Sequence, residues 1–271
     1  MRMPIGIVLP IFKMINMSLL NSLLNLQLNY KSAKMSGLTK RENDILRLLH
    51  SNCHIGSRNY TQGMERYIHH VSKEGVPVFK IDETYEKIKL AARIIAGIQD
   101  LSEVYAISSR EFGQRAVVKF AHYTKCSVTS SSRWTPGSLT NYITKQFKEP
   151  KLIVVVDPYA DFKPIKEASY CNIPVIALSD THNSLKYVDV AIPCNNNSTE
   201  SISMVFWMLA REVLILRGQL DKDEDQWDVM VDLFYYKNIN EKAQALEEAD
   251  EEQEEEADED DDEDEEAEEE D

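Results

Sequence analysis

The run "KLIVVVDPYAD", residues 151–161, decides the class of fold. Five of its first six residues are apolar, three of them valines in succession, and polarity returns abruptly at Asp157. A strand with one wet face would alternate. A run apolar at every position is a strand covered on both faces, as parallel strands between helices are. Outward from it, "VPVFKI" (76–81), "EVYAIS" (103–108), "IPVIAL" (173–178) and "VDVAI" (188–192) repeat the short β-branched pattern. Helical periods lie between them. Ile81, Tyr85, Ile88, Ala92 and Ile95 share one face behind Asp82 and Glu83, acidic residues suited to a helix N-terminus. A last helix is expected to be capped by Asn197 with Glu200 three residues on. Its apolar face is Ile202, Val205, Phe206, Leu209, Val213 and Leu216, and Gly218 supplies its stop. Met204, Trp207 and Met208 lie off that stripe and read as additional core. Residues 41–220 therefore form an α/β domain of βαβ units.

The flanks differ from this body. Residues 1–40 read as an N-terminal extension, flexible or upstream of a true start at Met35, because they are apolar, Asn-rich and free of acidic residues. Residues 221–246 form a C-terminal extension with Trp227, Phe234, Tyr235 and Tyr236. Residues 247–271 hold 21 of the 46 Asp and Glu and no Lys or Arg, so disorder is expected there. The net charge of −16 belongs to that tail. Residues 1–246 carry 30 basic against 25 acidic residues, and residues 110–166 carry 10 against 4. A basic body fits a polyanionic partner. Cys53, Cys126, Cys171 and Cys194 form no CxxC pair and read as reduced structural thiols. No run of 18 apolar residues occurs.

A doubly wound sheet invites a nucleotide-binding enzyme with its site at the strand ends. The nine glycines, at 6, 37, 56, 63, 75, 97, 113, 137 and 218, form neither GxGxxG nor GxxxxGK[ST]. Catalytic candidates are thin. Asp157 and Asp161 read as turn and cap residues, and adjacent Lys166 and Glu167 cannot share a helix face. Asp180, Thr181 and His182 occupy a plausible site position that a polar turn explains equally well. Cys53 with His54 lacks further metal ligands, and His69 and His70 should point to opposite faces of a strand. No catalytic group, cofactor or metal is expected.

In order along the chain stand "LLHSNCHIGSRN" (48–59), "ISSREFGQRAVVKFA" (107–121), "RWTPGSLTN" (133–141), "KEPKLIVVVDPYAD" (148–161), "IKEASYCNIPVIALSDT" (165–181), "YVDVAIPCNN" (187–196) and "WMLAREVLILRG" (207–218). Over roughly residues 45–218 the chain resembles the universal family of the second small-subunit ribosomal protein, in its eukaryotic, laminin-receptor-like branch. That resemblance implies a flavodoxin-like three-layer α/β/α sandwich around a mainly parallel sheet, without a catalytic site. It implies a structural constituent of the small ribosomal subunit, bound to small-subunit rRNA and neighbouring ribosomal proteins. Subunit assembly, stability and late rRNA precursor processing would depend on it, in the cytoplasm and also in the nucleus during assembly. Neither a membrane nor a small-molecule substrate is implied. The alternative is a flavodoxin-like protein retaining a small-molecule or nucleotide site near Asp157, Asp180 and Thr181. Vertebrate members carry a basic segment after "IPCNN"; "NSTES" stands here, so an adhesion role is not expected.

The resemblance gives the loop "SSRWTPGSLTNYITKQFKEP" (131–150) a purpose. Arg133 can meet phosphate, Trp134 can stack on a base or anchor the loop, and Lys145 and Lys148 can neutralise backbone charge. Arg58, Arg66, Arg110, Arg115 and Lys119 complete the expected RNA-binding set, with 115 and 119 on one helix face.

Overall fold

The computed structural model describes residues 39–129, 133–220 and 227–237. The expected N-terminal extension, apart from its last two residues, and the polyacidic tail lie outside the described residues. The chain separates into two compact units, residues 1–44 and 45–271. Helix α1, Lys40–His50, opens with a reciprocal cap: Glu42 N donates to Thr39 Oγ1 and Thr39 N donates to Glu42 Oε2 at 2.8 Å.

In the second unit, five parallel strands form the sheet: β3 (Val104–Ile107), β4 (Ser127–Val128), β5 (Leu152–Val155), β6 (Val175–Ser179) and β7 (Val190–Pro193). Their spatial order is β4-β3-β5-β6-β7, the flavodoxin order. Each long strand is buried on both sides, and alternate residues face different cores. Val104, Ala106, Leu152, Val154, Ile176 and Leu178 meet one; Tyr105, Ile107, Ile153, Val155, Val175 and Ala177 meet the other. The first face is covered by α2 (Ile81–Gly97), α3 (Glu111–Thr124) and α5 (Thr199–Leu216), whose Ile88, Phe120 and Phe206 join that core. The second is covered by the single helix α4 (Phe162–Tyr170), through Ile165 and Ala168.

One helix of three turns or fewer cannot roof that second face. The remainder is covered by the connection from β4 to β5, which crosses the sheet where a crossover helix would ordinarily lie. Trp134 and Leu139 of this connection enter the second core. Pro136 and Gly137 turn the chain, with Gly137 at φ 83° and Ser138 N donating to Thr135 O. Gly137 N then donates to Glu167 Oε1 at 3.0 Å, tying the connection to α4.

Three local expectations are corrected. "VPVFKI" is not a strand of the main sheet: its β2 (Pro77–Phe79) pairs antiparallel with β1 (Ile68–Val71). The cause is the tight turn at Ser72–Gly75, closed by Gly75 at φ 79°, which can join only antiparallel neighbours. His69 and His70 do not point apart, because the register slips between Ile68 and His70 and brings their Nδ1 atoms within 2.8 Å. The N-cap position of helix α5 is Ser198, not Asn197, and its side chain makes no capping bond; Asn195 Oδ1 accepts from Asn197 N and the Asn197 side-chain amide is committed to Asp180. Its other end follows expectation: Gly218, at φ 71°, donates to Ile215 O, and Gln219 N donates to Leu214 O. Met204, Trp207 and Met208 are buried, as expected. Part of the C-terminal extension explains why: Trp227 and Phe234 pack on this face, and Trp207 Nε1 donates to Val229 O at 2.8 Å.

Candidate nucleic-acid interface

An open α/β sheet would hold a ligand outside the carboxyl ends of its strands, where strand order reverses, here between β3 and β5. Protein groups occupy that crevice. Arg110, the residue before α3, places Nε 2.7 Å from Asp157 Oδ2, and its Nη1 donates to Asn196 O and Asn197 Oδ1. Ser109 donates through both its amide and its hydroxyl to Asp161 Oδ1. One strand further on, Asp180 accepts from Ser57 Oγ at 2.6 Å, Thr181 N at 2.6 Å and Asn197 Nδ2 at 2.8 Å. Thr181 Oγ1 lies 2.9 Å from the carbonyls of Ser57 and Asn59. Asp157, Asp180 and Thr181 are fully buried. These groups make their close contacts within the protein, although Asp161 Oδ2 and Asn196 Oδ1 are buried without a hydrogen-bond partner among the described residues.

Asp157 has its turn role, accepting from Tyr159 N at 3.0 Å. Asp161 precedes α4 but does not cap it with its side chain, which is held by Ser109. Burial raises the Asp161 carboxyl to about 6, the Ser109 hydrogen bonds opposing and the Asp157 charge adding to the shift. A carboxyl raised in the folded state binds its proton more tightly there than in the unfolded chain. Its contribution is therefore full below about 4 and is lost as pH rises through about 6. Asp161→Asn, which can still accept from Ser109, is expected to stabilise the fold at pH 7 by on the order of 1–3 kcal/mol and to leave it unchanged near pH 4. Denaturant midpoints at the two pH values check this; equal midpoints for both proteins at pH 7 would show that the carboxylate carries no burial cost.

The thiols of Cys53 and Cys126 are each raised to about 11, chiefly by burial, and burial raises Cys194 as well. Thiolates are therefore scarce at neutral pH. Cys53 contacts the Ser51 and Ser201 hydroxyls. Among the described residues no three His, Cys, Asp or Glu side chains gather at metal-binding distance.

The nine residues expected to bind RNA do not share one surface. Arg110 turns inward to Asp157. Arg115 Nε donates to Leu233 O at 3.0 Å, holding the C-terminal extension against α3, and Lys119 lies a turn further along the same helix. Arg58 is exposed in the loop before β1, and Arg66 lies over the Tyr67 ring. Arg133, Lys145 and Lys148 are all exposed on the connection across the second face, although Lys148 Nζ also rests on Tyr105, 4.2 Å from its ring centroid. Of the two roles expected of Trp134, the fold shows the anchoring one: at 7% exposure it packs with Tyr105, Ile107 and Leu139.

The second face carries further residues that sequence reasoning passed over. Lys163, Lys166 and Tyr170 are exposed on α4, opposite its buried Ile165 and Ala168. Their i, i+3, i+7 spacing was the available signal. Tyr142 and Ile143 stand out from the connection at 78% and 76% exposure, and Tyr159 and Phe162 are exposed beside the start of α4. The face thus presents Arg133, Lys145, Lys148, Lys163 and Lys166 interleaved with four exposed aromatic rings. Of its carboxylates, Glu167 is engaged by Gly137 N, while Glu149 is exposed on the connection beside Lys148.

The sequence model of the family described as "Ribosomal protein S2" matches residues 48–148 and 142–214. The small ribosomal subunit protein uS2 of Coccidioides posadasii is 53% identical over 207 residues, covering 76% of this chain and 71% of that protein. The protein of the same name from Sclerotinia sclerotiorum is 52% identical over 208 residues, covering 76% and 70%. That from Podospora anserina is 53% identical over 207 residues, covering 76% and 71%. With a flavodoxin-order sheet and likeness of this extent, the chain belongs to the ribosomal protein S2 family.

Proposed function

We propose that the protein is a non-catalytic structural constituent of the small ribosomal subunit, lying against small-subunit rRNA through the α4 face of its sheet and touching neighbouring ribosomal proteins elsewhere. Its place is the cytoplasmic ribosome, reached by way of nuclear assembly, and rRNA precursor processing depends on its incorporation. Residues 41–220 are the ribosomal domain, flanked by the extension 1–40, the extension 221–246 and the acidic tail 247–271. The observation that carries the reading is the basic, aromatic second face, in a family whose relatives are named as small-subunit proteins. Phosphate contacts position such a protein, and each contributes through release of a counterion. Arg58, Arg66 and Lys119 then serve as peripheral contacts, while Arg110 and Arg115 support the fold. A retained small-molecule site is disfavoured by the engagement of Asp157, Asp180 and Thr181.

The test is cosedimentation of the tagged protein with small subunits at graded salt. Lys145→Glu with Lys163→Glu and Lys166→Glu is expected to release the protein from subunits at physiological salt. On single-stranded RNA, the three Ala substitutions should flatten the plot of log affinity against log salt by roughly 0.7 for each phosphate no longer neutralised. All three side chains are exposed, so melting should not change. A triple variant that sediments like the parent would move the RNA surface off this face.

A further inference from the structure

Beside the start of α4 the surface opens into a cleft of ≈ 280 Å³ lined by Pro158, Tyr159, Phe162, Ser184 and Lys186. Two features of the chain create it. The β6–β7 connection contains no helix, and its residues 180–183 are drawn inward by hydrogen bonds to Ser57, Thr61 and Asn197. The β5–α4 turn is pinned by Asp157 Oδ1 accepting from Tyr159 N, which leaves the Tyr159 ring 76% exposed. His182, 3.5 Å from Asp180, braces that ring edge-on at 6.3 Å between centroids. Phe162 supplies a second ring, 47% exposed. Two aromatic rings thus stand open to water around one cleft.

The occupant can be read from the lining. Two aromatic walls and a proline suit a flat, weakly polar ring. Ser184 offers a hydroxyl at the rim. The charged side chain of the lining, Lys186, and the exposed neighbour Lys163 are both cations, and among the described residues no carboxylate lines the cleft. The volume falls just under the ~300–1,000 Å³ of sites for drug-sized ligands, room for one ring system and little more. The geometry points to a pocket for a single unpaired RNA nucleotide, its base against Tyr159 and Phe162 and its phosphate beside Lys186. Bases splayed from loops and bulges are recognised in this manner, by stacking on aromatic side chains with a cation at the backbone. The inference rests on the RNA-facing reading above and extends it: the α4 face holds charge along a strand, while the cleft takes one base out of it.

The test uses the full chain and a short single-stranded RNA carrying 2-aminopurine, whose fluorescence falls when it stacks. Tyr159→Ala with Phe162→Ala is expected to weaken binding roughly 5- to 100-fold and to abolish the quench, with the salt slope unchanged. Lys186→Ala should reduce the slope by roughly 0.7 and keep the quench. AMP should neither bind saturably nor compete at millimolar concentration. If the aromatic pair variant binds and quenches as the parent does, while the triple lysine variant loses RNA, the pocket is refuted and the surface stands. If the parent binds no RNA, or the triple lysine variant binds unchanged, the underlying surface reading fails and the pocket with it. Saturable AMP binding lost in the aromatic pair variant would overturn the assignment in favour of a free nucleotide. Loss of subunit association with RNA binding intact would overturn it in favour of a protein side chain.

Discussion

Trp134→Ala is expected to destabilise the isolated protein by about 3–5 kcal/mol, the usual cost of emptying a large aromatic site in a core. In a domain of this size that lowers the melting temperature by on the order of 10 °C. The position makes the loss severe. On the first face of the sheet a truncated side chain would still leave three packed helices; on the second, the connection carrying Trp134 is itself the roof. Its indole and Leu139 pack in one core with Tyr105, Ile107, Ile153 and Val155, beside Ile165 and Ala168 of α4. Truncation therefore opens the sheet to water as well as leaving a cavity. Trp134→Phe separates packing from hydrogen bonding. The buried indole Nε1 has no partner among the described residues, so phenylalanine forfeits only volume and should cost less than about 1.5 kcal/mol. A stacking residue would behave in the opposite way: unchanged melting without RNA, and weaker RNA binding in both variants. Calorimetric melting beside oligonucleotide binding decides between them.

Trp134 also shows where reading the sequence succeeds and where it stops. Strands β3, β5 and β6 were legible because burial on both faces writes an apolar run, a signal that needs no knowledge of neighbours, and β7 was legible from its β-branched residues despite Asp189. Strand β4 was not, since two residues, Ser127 and Val128, carry no period. "VPVFKI" had the right composition and the wrong sheet, because local pattern records burial and not the pairing partner. The interface was half legible. Arg133, Lys145 and Lys148 are all exposed on the connection that composition had marked out. Arg110 and Arg115 are chemically the same kind of residue, yet they turn inward, and the difference lies in their bonds to Asp157 and Leu233, 47 and 118 positions away. No local signal encodes that. Trp134 left two roles open in the sequence, stacking and anchoring, and the fold favours the second: the ring with the largest area is also the one the core takes first. What remained outside, Tyr142, Tyr159, Phe162 and Tyr170, was visible only once the sheet had claimed Trp134.

Arg110→Ala is expected to cost about 3 kcal/mol or more without any RNA present, since it strands a buried carboxylate. Asp157 is completely buried, while the Arg110 side chain is 27% exposed, so the acid bears most of the desolvation and the base can still reach water. With the guanidinium gone, Asp157 retains Tyr159 N and Asn196 Nδ2 as donors, which orient it but do not neutralise it. The same guanidinium grips Asn196 O and Asn197 Oδ1, and Asn197 in turn donates to Asp180, so the fork links the ends of three strands to the start of α5. Arg110→Lys should recover only part of the loss, because an ammonium cannot span those three acceptors in one plane. Pairing Arg110→Met with Asp157→Asn removes both charges and keeps an acceptor for Tyr159 N. It should restore most of the stability, and the cycle formed with the single variants should show a coupling of roughly 1–3 kcal/mol. An Arg110 that served RNA would give another pattern: unchanged melting, a salt slope lower by roughly 0.7, and no coupling to Asp157. The filled crevice thus becomes a measurable property. If Arg110 and Asp157 prove uncoupled, the reading of Arg110 as a residue of the fold fails, and its guanidinium becomes available to RNA.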